Sequence, residues 1–184
     1  ELPHKNYDVD SDGNVINHSF EVSDFNSPQD CQGCHPTHYD EWSASMHAYT
    51  THSPIFFSYK SETLLDHPIV GDNFCNQCHN PVAYLTDTDL SEFETVEEFQ
   101  TSSLEDVLKQ GVSCDVCHTV TGISETVHTP SSGAATAQFK LFPGENIKFG
   151  SIEDPEPNSF HDSFYLPTFQ VSEQCLPCHD LVVR

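Results

Sequence analysis

The sequence predicts a loop-rich, mostly irregular fold with short α-helices and minimal β structure, and three observations carry that expectation. Only 36% of the 184 residues are hydrophobic and the mean hydropathy is −0.45, too little apolar side chain for an ordinary core in a chain of this length. The stretch from 119 to 174 is rich in Pro, Gly and Ser, the residues of turns and loops. All eight cysteines fall into four copies of one short pattern, so the chain is organised around those four points.

The copies are CQGCH at 31–35, CNQCH at 75–79, CDVCH at 114–118 and CLPCH at 175–179. C-x-x-C-H is the attachment site of c-type haem. In that reading Cys31, Cys34, Cys75, Cys78, Cys114, Cys117, Cys175 and Cys178 add across porphyrin vinyl groups, and His35, His79, His118 and His179 reach each iron from the same side. Zinc ribbons and thioredoxin-like redox sites also use CxxC pairs, but neither requires the histidine that follows every pair here. Four haem c groups, one per 46 residues, bring large apolar faces that replace the missing apolar side chains. The polypeptide then becomes a wrapping, and loop is expected in place of sheet.

Each iron also has a far side. Of the twelve histidines, eight lie outside the motifs: His4, His18, His38, His47, His52, His67, His128 and His161. The single methionine, Met46, serves one site at most, so the surplus points to bis-histidine ligation, at lower potential than methionine ligation gives. His47 is the first candidate. Tyr39, Trp42, Met46 and Tyr49 recur around it at three- and four-residue steps, predicting an amphipathic helix with one face on a porphyrin. Its twelve-residue offset from His35 favours a neighbouring haem. His128, ten residues beyond His118 in a loop bounded by Pro130, and His161, fourteen residues before the last motif, follow. His18 and His52 compete for the fourth place, and His4, His38 and His67 read as surface or outer groups.

Apart from the motifs, whose first cysteines are 44, 39 and 61 residues apart, no tandem repeat is visible. Residues 1–30 are expected to form a haem-free acidic arm and residues 31–184 a single tetrahaem domain. Two short helices are expected between 85 and 110, with capping boxes at Ser91/Glu94 and Ser102/Glu105 and Gly111 as the stop. FKLFPGENIKFG reads as a hairpin turning at Pro143 and Gly144. In the arm, Asp8, Asp10, Asp12 and Gly13 match the opening of a calcium loop, although Ser19 stands where that loop has its glutamate. Calcium binding and an exposed acidic turn are both open readings there. Asn17-His18-Ser19 is also a formal glycosylation sequon.

Twenty-nine acidic residues against six basic ones give a net charge of −23, which leaves no basic footprint for nucleic acid. Such a charge fits a solvated acidic surface or a saline medium, where repulsion is screened within a short distance. The sequence opens ELPHKNYDVD, as a cleaved signal peptide would leave it, and no apolar run is long enough to span a membrane. Because haem is attached to CxxCH outside the cytoplasm, the expectation is an exported protein, extracellular or at the cell surface, with the periplasm as the alternative.

The order C-x-x-C-H (Cys31 to His35), W-x-x-S-x-H (Trp42, Ser45, His47) and G-V-S-C-D-V-C-H (Gly111 to His118) resembles the multihaem c-type cytochromes that include the tetrahaem electron acceptor of ammonia oxidisers and hydroxylamine oxidoreductase. The resemblance implies that His47 is an axial ligand and that the chain wraps four stacked haems. Within that group the sequence is most similar to the OmcE-type extracellular cytochrome filaments, whose subunits are bis-histidine throughout, stack their porphyrins, and borrow one axial histidine from an adjacent subunit. The acidic charge and the short tail DLVVR after His179 depart from them. What this implies is electron transfer as the subunit of a homopolymeric extracellular filament, passing electrons to other redox proteins or extracellular acceptors. The alternatives are a soluble periplasmic shuttle, or a reductase of nitrite, hydroxylamine or another small oxidant at one five-coordinate haem. Saturated bis-histidine iron and the lack of a CxxCK motif favour transfer over catalysis. On the filament reading His18, in VINHSF, is the imidazole offered to the neighbour, with His52 as the intrachain alternative.

Overall fold

The computed structural model describes residues 2–5, 7–9, 15–18, 20–66, 73–123 and 139–179. Short helices carry most of its regular structure, and strands occur only in pairs. In chain order the helices are α1 (Pro28–Gln32), α2 (Pro36–Ser43), α3 (Met46–Tyr49), α4 (Pro54–Asp66), α5 (Asn73–His79), α6 (Pro81–Leu85), α7 (Val96–Thr101), α8 (Cys114–His118) and α9 (Leu176–His179). Proline opens α1, α2, α4 and α6, where its missing N–H leaves no bond unmade and its fixed φ suits the first turn. Only α4, at 13 residues, exceeds eight.

The strands are β1 (Tyr7–Val9) with β2 (Val15–His18), β3 (Val120–Ile123) with β4 (Phe139–Leu141), and β5 (Ile147–Gly150) with β6 (Asp162–Tyr165). The first two pairs are antiparallel, with Tyr7 opposite His18 and Val120 opposite Leu141. The third is parallel, with Phe149 opposite Phe164. The loop-rich, helical, sheet-poor architecture expected from composition is therefore the observed one.

A small core sits around α6, whose five residues are all buried. Phe57 from α4, Phe99 from α7, Val116 from α8 and Leu141 from β4 pack with it, as do Phe20 and Phe25 from within the first thirty residues. A backbone bond from Lys5 N–H to Leu141 O at 2.7 Å and the Lys5–Asp24 ion pair at 2.6 Å fasten that segment to β4. No described helix is long and apolar enough to cross a membrane.

Three local expectations need correction. Tyr39 to Tyr49 do not form one helix: Ser45 is extended (φ −89, ψ 163) and caps α3. The Trp42 indole is drawn off to donate to Val112 O at 2.9 Å. FKLFPGENIKFG is not a hairpin. Gly144 turns the chain at φ +89, but β4 has already taken β3 as its partner and β5 takes β6, so the turn links two sheets. The first capping box of the 85–110 region lies at Thr95 and Glu98, where the Thr95 hydroxyl accepts from Glu98 N–H at 3.2 Å and Glu98 Oε2 from Thr95 N–H at 3.1 Å. The expected Ser102/Glu105 box does not form either: Ser102 ends α7, its hydroxyl donating to Phe99 O at 2.7 Å, and the second helical turn, 3₁₀ in form, runs Asp106–Lys109 behind Glu105 with no side-chain cap. Gly111 follows it at φ +66.

Candidate haem sites

All four motifs lie on helical turns. Cys75 to His79 end α5, CDVCH is the whole of α8, and Cys31 lies in α1 with His35 capping α2. Cys175 closes a 3₁₀ turn, Ser172–Cys175, that runs directly into α9. Helical spacing brings residues i, i+3 and i+4 to one face, so two thiols and an imidazole are presented together. That is the donor set c-type haem requires.

Two of these imidazoles face a histidine from elsewhere in the chain. The rings of His35 and His161 have centres 6.3 Å apart, and those of His47 and His179 are 6.0 Å apart. One metal held between two imidazole nitrogens, each about 2 Å from it, puts the ring centres roughly 6 Å apart. His161 is steadied at Nδ1 by Ser163 Oγ at 3.2 Å. His38 also lies 6.1 Å from His35. It is three residues along the chain, 79% exposed, and beside Glu41 at 3.5 Å, so that spacing is ordinary helix-neighbour geometry.

His47 is held from behind by the third motif. Val112 N–H donates to His47 O at 3.1 Å while Val112 O accepts from Trp42. The W-x-x-S-x-H stretch and the residues just ahead of Cys114 are thus locked together. Gly111 makes this approach possible, since a Cβ there would stand 2.5 Å from His47 O and closer still to Thr50 Oγ1. Ser45 Oγ and Ser113 Oγ, next to these contacts, are buried with no hydrogen-bond partner among the described residues. Orphaned hydroxyls beside a motif fit a bound group that brings acceptor oxygens of its own.

The other two motif histidines are oriented in different ways. His118 donates from Nδ1 to Phe149 O at 2.7 Å and stacks on Phe169 at 5.4 Å. A carbonyl only accepts, so a proton sits on Nδ1, and Nε2 is the nitrogen turned to a metal. His79 stacks on Phe56 at 4.4 Å, and burial holds its pKa below the ordinary histidine value, which keeps the imidazole neutral. Beside it lies a cavity of about 430 Å³ lined by Ile55, Phe56, Tyr59, Cys75, Cys78 and Cys178, among others. It is apolar, as a porphyrin pocket should be. Neither Phe56 nor Phe169, the Val112 bridge nor the Phe149 carbonyl was foreseeable from spacing, because each partner is remote in sequence.

The remaining candidates separate by position. His52, in the 3₁₀ turn Thr50–His52, is partly buried, which lowers its pKa. His18 is exposed, and its Nδ1–H donates to Phe20 O at 3.2 Å. Neither makes a described ring contact with His79 or His118. His128, Asp10 and Asp12 lie outside the described residues, and Asp8 is placed in β1 by its backbone alone. Among the described residues no three of His, Cys, Asp and Glu converge on one point, as a four-ligand zinc site would require.

Contacts between thiols show which motifs are neighbours. The Cys31 and Cys114 thiols lie side by side, and their interaction holds Cys31 below its ordinary pKa and Cys114 above it. Cys78 and Cys178 are related in the same way. Burial, aided by the nearby Cys175 charge, pushes Cys117 up to about 11. First lies beside third and second beside fourth, and third is near enough to fourth to feel its charge, so spatial order differs from chain order.

Residues 30–119 match the family model described as cytochrome c554 and c-prime, a span that holds the first three motifs, Trp42 and His47. Among curated proteins none matches. A penta-haem cytochrome c552 from Thermochromatium tepidum is similar in structure, with a TM-score of 0.57 at 18% identity over 87% of this chain and 47% of that one. The chain spans about half the length of that structure.

Proposed function

We propose that this chain, which its motifs, its fold and the family match support as a multihaem c-type cytochrome, is an electron-transfer protein holding four haem c groups. The carrying observation is the opposition of His35 with His161 and of His47 with His179 at the separation one shared iron needs. Bound haem supplies a one-electron iron couple. At the first and fourth motifs the polypeptide would supply an imidazole for each side of the iron; at the third it orients His118, and at the second it shields His79 from water. A paired site leaves no position for a substrate, which favours transfer over catalysis. The proximity of the thiols, first beside third, second beside fourth and third near fourth, supports a single series of centres with the first and second motifs at its ends. As purified, the protein should be wholly low-spin, with a spectrum unaltered by carbon monoxide or nitrite. A high-spin component that binds either ligand would favour the reductase reading.

The finer reading is an exported subunit of an extracellular filament. His18 supports it: an exposed imidazole at the end of β2, with its Nδ1 proton tied to Phe20 O and its second nitrogen uncommitted by that bond. A haem of an adjacent copy would take that nitrogen, with His52 as the intrachain alternative. Calcium at Asp8, Asp10 and Asp12 would stiffen the same arm and lessen repulsion between acidic copies. His18→Ala should then keep four attached haems and yield monomers with one labile axial site. Normal filaments of the variant, fully low-spin under the electron microscope's companion spectrum, would reduce His18 to a surface residue.

A further inference from the structure

Asp115 is the only charged residue inside the four motifs, and it is buried, with 1% of its side chain exposed against 17% for its partner Lys148. Its carboxylate is gripped from two elements. Lys148 Nζ, on β5, donates to Oδ1 at 2.6 Å. Asn26 N–H, just ahead of α1, donates to Oδ2 at 2.7 Å. One carboxylate on α8 therefore ties down both β5 and the approach to α1, and α8 and α1 are the two motif helices whose thiols, Cys114 and Cys31, are neighbours. The next residue of β5, Phe149, is the one whose carbonyl orients His118.

A buried carboxylate is costly unless paired, and this chain has only six basic residues for 29 acidic ones. One of the six is committed here. An unbalanced negative charge in a poorly solvated site stabilises ferric over ferrous iron and lowers the reduction potential, and a paired ammonium offsets that effect. We propose that Asp115 and Lys148 are positioning residues for the haems of the first and third motifs. The carboxylate fixes the two motif helices against each other, and the lysine holds both potentials above the value the bare carboxylate would impose. This rests on the haem reading above.

The test uses the purified holoprotein and four variants, K148M, D115N, the double variant K148M/D115N and the conservative K148R. Each is examined by intact mass and by spectropotentiometry with electron paramagnetic resonance. With four haems bound, K148M should shift two of the four midpoint potentials negative and D115N should shift the same two positive. The double variant should return both towards wild type, and K148R should leave them nearly unmoved. Opposite signs from two changes that break the same bond are not what lost packing would give. Unmoved potentials, shifts of the same sign, or equal shifts of all four haems would overturn the proposal. Should K148M fail to retain its haems, D115N decides alone: a positive shift supports the proposal and a zero or negative one overturns it. A wild-type protein without covalent haem would instead sink the underlying reading.

Discussion

His47 shows how much a single residue needs beyond its own side chain. Its ring stands opposite His179, its carbonyl is bound by Val112 N–H, and the glycine before Val112 is the only residue type that fits so close an approach. Replacing His47 or His161 by alanine should leave four haems attached and turn one haem in each variant five-coordinate and high-spin. A spectrum that stays wholly low-spin, with no substitute histidine bound, would remove that residue from the ligand set. Gly111→Ala adds a Cβ at φ +66 against the His47 carbonyl. It should cost about 1–3 kcal/mol, lower the thermal midpoint by several degrees, and disturb the His47 site in the spectrum. The histidine surplus marked His47 and His161 as candidates. It did not reveal the imidazoles they face, because that depends on elements more than a hundred residues apart. Asp115 was not singled out, because a lone charge within a motif acquires meaning only from Lys148, 33 residues away.

At the scale of elements, local signals were readable and boundaries were not. Two helical turns between 85 and 110 followed from capping chemistry, yet Thr95 and Glu98 close the box that Ser91 and Glu94 could equally have formed. The choice is made by Phe99, which is buried in the core and fixes where α7 must start. Thr95→Ala should therefore destabilise the protein by about 1 kcal/mol in chemical denaturation, and Ser91→Ala by less than about 0.5 kcal/mol. Equal losses would place the cap wrongly. Strand pairing was less legible still. Pro143 and Gly144 do make a turn, but β4 and β5 find partners at Val120–Ile123 and Asp162–Tyr165, and such non-local choices leave no mark on local sequence. The helix expected through His47 failed for a related reason: the periodicity was present, but the Trp42–Val112 bond and the extended Ser45 redirect the chain.

For the whole molecule, charge and composition act together. The described lysines turn largely inward: Lys5 to Asp24, Lys60 to Leu90 O, Lys109 to Ser102 O and Lys148 to Asp115. At least four of the six basic residues are thus engaged with partners of their own chain, and the chain's excess of charge is strongly acidic. Self-repulsion of that charge is screened by salt, so the thermal midpoint should rise as sodium chloride is raised from low to sub-molar concentration. A midpoint that falls over that range would show that the internal ion pairs outweigh surface repulsion. The small core around α6 is consistent with the low apolar content, and the reading of the molecule as a wrapping for four haems depends on every motif being filled. The intact mass of the denatured, reduced protein, made in a host that attaches haem, tests that claim most directly. Four covalent haem increments and no thiol left to alkylate are predicted. Fewer than four increments, or alkylatable cysteines together with zinc released on denaturation, would contradict it.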